Sequence, residues 1–310
     1  MADNCVCGTS ALGNTGVERC EITVGAMLKP MLMPKYNELG QLNFIDVSNP
    51  TTVGATIQTL TSATTHPMRR LYPLMVAENV TREKTETIYE TAPSNRKYKA
   101  QEGVRTTVSQ FFEASFRWLG ELQKFGCTEL VYFFADVEGK LVGQSTEDGK
   151  LYGIPVAKNT FDTMLMYATD TTVQKVQLQF DDKYGFNDAN IRVLTPTDLG
   201  YDADELSGII TVYGEVVGTP TLTGAVVKLY TKNSNALSPK VPFKGLLVAD
   251  FDLNEIDPTP GAVTIATAPE SLVNDGQYTL TFASQTSGDT LELTATRNGF
   301  EVLPITIEIP

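Results

Sequence analysis

Few residues in this 310-residue chain belong to the types that do chemistry, and their spacing decides what they can do. The single histidine, His66, precedes Pro67 beside Arg69 and Arg70, and no Gly-x-Ser-x-Gly turn supplies a nucleophile. It reads as an exposed loop residue, a triad built from distant residues being the alternative. Cys5, Cys7 and Cys20 gather near the start and Cys127 stands apart. Structural zinc takes four ligands at wider spacing, so free thiols in a reducing compartment are preferred over a metal at the first three. Gly143–Lys150 resembles a phosphate loop, but five residues separate its glycines and Leu151 replaces the magnesium-binding hydroxyl. It reads as a hairpin turn. Asp250, Asp252, Asn254 and Asp257 place oxygens near the spacing of a calcium loop, yet Glu255 and Gly261 occupy the positions that need Gly and Glu. A strand burying Phe251 and Leu253 is the competing account. Asp181-Asp182 and the group Asp202, Asp204, Glu205 lack the aromatic platforms of a sugar cleft and read as solvated turns. The sequon Asn79-Val80-Thr81 carries little meaning without a secretion signal. No enzyme and no cofactor are expected.

Composition narrows the classes further. The chain is 42% hydrophobic and 20% charged, which excludes a mostly disordered protein. Its longest apolar run, Leu130 to Ala135, is far short of the roughly 18 residues of a membrane helix. Met1 to Ser10 has no apolar core behind a basic start, so neither membrane nor export is expected. The net charge of −13 divides unevenly: 23 acidic and 19 basic residues up to Gly200 (net −4), then 14 and 5 (net −9). Such acidity repels phosphate backbones and argues against sequence-specific nucleic-acid binding.

The elements predicted from the pattern are mostly strands. Residues 1–19 read as a flexible arm, 20–200 as a β-rich assembly domain and 205–310 as an immunoglobulin-like β-sandwich. The first domain opens with a strand at Cys20 to Leu28. Val53, Ile57 and Leu60 then place one face on a short helix stopped by His66-Pro67. Ser109 to Phe125 has the widest apolar stripe, Phe111, Trp118, Leu122 and Phe125, and reads as the chain's main helix, ended by Gly126. Leu130 to Ala135 reads as a buried strand, and Val173 to Phe180 as a half-exposed one. Beyond Gly208 seven short strands follow, Gly245 to Phe251 among them, without the Cys…Trp…Cys of antibody domains.

Between Val80 and Val108 two extended runs flank the turn Ala92-Pro93-Ser94-Asn95. Few residues of this long hairpin can feed a core. Its cations and one aromatic, Arg82, Lys84, Arg96, Lys97, Tyr98, Lys99 and Arg105, are therefore the candidate subunit-interface residues. Strand addition from neighbouring copies would satisfy edges that a monomer leaves open.

The succession of a β-rich start, a charged hairpin (Ile88 to Val108), an amphipathic helix (Ser109 to Phe125) and a return strand (Leu130 to Phe134) resembles tail tube proteins of tailed bacteriophages. The segment Asn274 to Phe282 is similar to the late strand of Ig-like modules on phage proteins. The resemblance implies a β-rich tube domain whose copies form stacked, hexameric rings in the virion tail, assembled in the host cytoplasm. It implies contact with other tail proteins, non-specific passage of DNA along an acidic lumen, and an Ig-like module outside. The mild −4 of the first domain and the arm around Cys5 to Cys20 depart from that pattern. Similar layouts occur in other virion ring, connector and head-tail completion proteins. A surface adhesin using the Ig-like module is the reading from another class; an unrecognised hydrolase is the third.

Overall fold

The structure is a computed structural model describing residues 23–112, 114–145, 149–237, 239–297 and 299–310. The arm of residues 1–19, with Cys5 and Cys7, lies outside them, as does Cys20. The chain is mainly β and divides into two compact units. The first comprises residues up to Leu60, Pro67–Ala114 and Leu119–Ser207. The second comprises Thr61–His66, Ser115–Trp118 and Gly208–Pro310.

The first unit is built around the antiparallel pair Met27–Pro34 and Leu130–Asp136, with Met31 opposite Phe133. Every residue of Leu130–Asp136 is buried, so both faces of this eight-stranded sheet are covered. Alternate side chains of a strand point to opposite faces. Val131, Phe133 and Ala135 join Met31, Met33, Ile45 and Leu141 in a core with Val53 and Ile57 of the helix Val53–Leu60. On the opposite face, the Tyr132 ring lies 4.8 Å from that of Phe180 on a second, four-stranded sheet. That sheet is antiparallel throughout, in the order Asp162–Met166, Lys175–Asp181, Arg105–Phe112, Asn79–Lys84. Its inward face carries Val176, Leu178, Phe180, Thr107, Ser109 and Phe111, all buried.

Two expectations need correction here. The main helix does not begin at Ser109: Arg105–Phe112 is a strand, and helix is confined to Phe116–Gln123, followed by a 3-10 turn Lys124–Cys127. Phe111 serves the sheet, Leu122 is buried on the helix, and Phe116 is exposed. The pattern misleads because Thr107 and Ser109 put hydroxyls on the buried face, removing the alternation that marks a strand. The opening strand is displaced too, to Met27–Pro34. The long extended runs survive, but Asn79–Lys84 and Ile88–Thr91 are separate strands.

The second unit is a two-sheet sandwich in which Ile210–Thr221 serves both sheets. Its first residues pair in parallel with Phe300–Val302, and from Tyr213 it pairs antiparallel with Gly224–Lys232. Leu229, Tyr278, Leu280, Leu291, Leu293 and Ile307 form its core. The strand expected at Gly245 to Phe251 is displaced to Phe251–Asp257, after a 3-10 turn at Val248–Asp250.

Gly54 fixes how the helix Val53–Leu60 sits on this frame. A Cβ there would lie 1.9 Å from the carbonyl oxygen of Leu199. Helix propensity alone would favour Gly54→Ala by about 1 kcal/mol, but the clash with backbone outweighs it. Gly54→Ala is expected to lower the thermal midpoint; an unchanged or raised midpoint would show that the Leu199 loop yields freely.

Candidate assembly interface

The long hairpin has a root, an elbow and a free end. At the root, Arg82 lies opposite Thr107 and Arg105 opposite Lys84, so the two arginines are diagonal neighbours on one face of the paired strands Asn79–Lys84 and Arg105–Phe112. Arg82 Nε donates to the Tyr132 hydroxyl at 3.1 Å, and its Nη2 donates to Asp182 Oδ2 at 2.5 Å. The Tyr132 hydroxyl donates to Asp182 Oδ1 at 2.8 Å. Arg105 is ion-paired with Asp188, whose other oxygen is 3.4 Å from Arg82 Nη1. The Phe186 ring lies 5.7 Å from the Arg82 guanidinium and covers it. Asp182 is 3% exposed and Arg82 15%, so the pair sits largely out of water.

Burial raises the Asp182 carboxyl above its ordinary range, against the pull of Arg82. Burial would lower Arg82, but Tyr132 and Asp182 outweigh it and the guanidinium stays charged. Burial, reinforced by Asp182, drives the Tyr132 hydroxyl far above the usual tyrosine range. Burial alone moves Tyr201, which donates to the Gly54 carbonyl, to about 12. Lys29, buried in the same unit, is lowered by burial and donates to the Asp204 carbonyl at 2.7 Å.

At the elbow the ladder breaks. Thr85 N donates to the Val104 carbonyl and Val104 N returns a bond to Thr85 Oγ1, both at 2.9 Å. Gly103 is forced by this crossing: a Cβ would stand 1.8 Å from the Thr85 carbonyl oxygen. Glu102 holds Lys84 and Lys99 at 3.3 and 3.0 Å, lowering its own carboxyl chiefly through its bond to Lys99. Beyond the elbow, Ile88–Thr91 and Lys97–Gln101 pair only with each other. Asn95, at φ 61°, closes the turn, a conformation asparagine tolerates better than most residues. Ile88, Tyr89 and Tyr98 are more than half exposed on this ribbon.

The seven interface candidates therefore divide. Arg82 and Arg105 are committed to Asp182 and Asp188, and Lys84 and Lys99 to Glu102. Arg96, Lys97 and Tyr98 are exposed on the free end, and neither Arg96 nor Lys97 has an ion-pair partner among the described residues. Asp182 was read as part of a solvated turn; instead it is buried and central. Its signal is parity, since Asp182, one residue past the strand Lys175–Asp181, continues the inward phase of Val176, Leu178 and Phe180.

The remaining candidates stay apart. His66 is exposed on the turn before Pro67, and Cys127 is exposed. Leu141–Ser145 and Lys150–Tyr152 form the expected hairpin, of which residues 146–148 lie outside the described residues. Asp252 and Asn254 project from the strand Phe251–Asp257, while Asp250 accepts from Leu247 N. Asp202 and Glu205 are exposed and Asn79 lies on a sheet edge. Among the described residues no three His, Cys, Asp or Glu side chains are grouped to hold a metal, and no helix is long and apolar enough to cross a membrane.

No protein-family model matches the sequence, and no curated protein does. Among solved structures, the glycoside hydrolase domain of Endo-D from Streptococcus pneumoniae R6 aligns over 74% of this chain at 11% identity and a TM-score of 0.19. The alignment spans 36% of that structure's chain.

The root is expected to dominate stability. Arg82→Leu leaves Asp182 buried without its cation and should cost about 3–5 kcal/mol in urea unfolding. Arg96→Ala and Lys97→Ala should stay within about 0.5 kcal/mol. Equal effects would contradict the division between root and free end.

The tyrosines set the alkaline limit. As pH rises from 10 towards 12, the unfolded chain loses the protons of Tyr132 and Tyr201 while the folded chain keeps them. Their contribution is complete below pH 10 and falls through that window. Asp182, raised rather than lowered, gives no corresponding weakness to acid. Tyrosinate absorbance should therefore develop last in step with unfolding, and full ionisation of a still-folded protein would contradict this burial.

Proposed function

We propose that this chain is a structural subunit of a bacteriophage tail, forming stacked homo-oligomeric rings whose four-stranded sheets join around a channel that passes DNA. The observation that carries the reading is a sheet and ribbon left incomplete by a single copy. Asp162–Met166 and Asn79–Lys84 each pair with one strand only and form the two edges of the four-stranded sheet. Open edges of this kind are templates for strand addition, and opposite edges on one subunit suit ring closure.

The outward face of the same sheet supports a lumen. It carries Asn79, Thr81, Glu83, Thr106, Gln110, Gln177, Gln179, Asp181 and Asp162, with Lys175 as its cation and Val108, Phe112, Met164 and Met166 interspersed. Gln110 is bonded to Gln177 and accepts from Lys175 Nζ at 2.8 Å. Three carboxylates against one lysine make a mildly acidic, glutamine-rich surface. DNA phosphates would slide past it without a strong grip, since binding grows with each cation offered to the backbone. A connector or head-tail completion ring would use the same edges without stacking. The Ig-like unit would decorate the exterior.

Negative-stain microscopy of the purified protein is expected to show rings or tubes. Deleting Ala92 to Glu102 should leave a soluble protein with native-like melting that no longer stacks. Uniform wild-type monomers at every concentration would overturn the proposal, and continued stacking by the deletion variant would remove the hairpin as the joint.

A further inference from the structure

The register of the four-stranded sheet places two projections at opposite ends. Asn79–Lys84 runs towards the ribbon and Arg105–Phe112 runs away from it, with Lys84 opposite Arg105 and Asp181 opposite Thr106 at that end. At the far end Phe112 faces Lys175 and Lys175 faces Met166. The chain between them, residues 167–174, forms a turn closed by paired Thr169 and Thr172, whose backbone bonds are 2.9 and 3.4 Å. This turn thus leaves the sheet opposite to the ribbon.

Both projections are apolar where they need not be. On the turn, Tyr167 is 72% and Val173 62% exposed, with Met164 exposed on the adjoining strand. On the ribbon, Ile88, Tyr89 and Tyr98 are exposed. Their charges are opposite: Asp170 on the turn has no ion-pair partner among the described residues, nor have Arg96 and Lys97 on the ribbon. Aromatic side chains dominate interface energetics when a partner covers them, and neither set is covered within its own unit.

We infer that the 167–174 turn of a second copy is the surface that receives the ribbon, so that stacking runs head to tail along the sheet. The inference rests on the assembly reading above and names its partner surface. Tyr89, which shares one face of the ribbon with Lys97, packs against Tyr167 and Val173 of the next copy, and Lys97 meets its Asp170. Because the two patches differ and lie at opposite ends, each contact leaves one of each kind free. Such a heterologous contact repeats without closing and builds a tube rather than a dimer.

The experiment uses two full-length variants, purified separately. Tyr89→Glu with Tyr98→Glu spoils the ribbon; Tyr167→Glu with Val173→Glu spoils the turn. All four residues are exposed, so both variants should melt as the wild type does. Each alone should stop at unstacked rings in microscopy and sedimentation. Mixed, they retain one intact contact and should give pairs of rings but no tubes. The single charge reversals Lys97→Glu and Asp170→Lys should each raise the protein concentration needed for tubes by about tenfold, as loss of roughly 1.4 kcal/mol does, and together restore it. Wild-type-like tubes from the turn variant, a mixture that leaves native-melting rings unpaired, or charge reversals without mutual rescue would overturn the inference. Those outcomes leave the ring proposal standing, whereas a wild type that never assembles removes both.

Discussion

A two-stranded ribbon in water is at best marginally stable, because it has no third strand and no covering face to bury its side chains. Ile88–Thr91 and Lys97–Gln101 form such a ribbon, and everything distinctive in this chain follows from the way it is held out. The Arg82–Asp182–Tyr132 network fixes its root below the surface. A buried ion pair of this kind adds little stability over apolar packing, yet removing one partner is costly. Here it ties Asn79–Lys84 to Tyr132 and Asp182 where the strands leave the sheet. The crossing at Thr85 and Gly103 then separates the anchored ladder from the free one.

The division of the cations follows the same logic. Arginine, with its planar fork, occupies the desolvated root, where Arg82 meets a carboxylate and a phenol together. Lysines, and Arg96 with them, occupy the elbow and free end, where solvent screens them; the pairing of Lys84 and Lys99 with Glu102 is worth little.

Much of the fold was legible in the sequence. Leu130 to Ala135 is apolar throughout and is buried on both faces; Val53, Ile57 and Leu60 keep helical spacing and are helical; Ala92 to Asn95 has turn chemistry and turns. The helix expected from Ser109 failed for a local reason. At Arg105–Phe112 the buried face holds Thr107 and Ser109, so the strand lacks alternation while the downstream aromatics happen to fit a helix. Of the candidate interface, the free residues were legible from charge and turn residues alone. The root was not, because Asp182 meets Arg82 and Tyr132 across 100 and 50 positions of sequence. Only its inward parity, continued from Lys175–Asp181, hinted at burial.

The central claim is that the ribbon is completed by other copies of the chain. Amide hydrogen exchange along Ile88–Gln101, followed as the protein is concentrated from dilute monomer, tests it most directly. The account predicts rapid exchange when dilute and strong protection as copies associate, with Leu130–Asp136 protected throughout. Ribbon protection that is already complete in dilute protein, or that never rises with concentration, would contradict it.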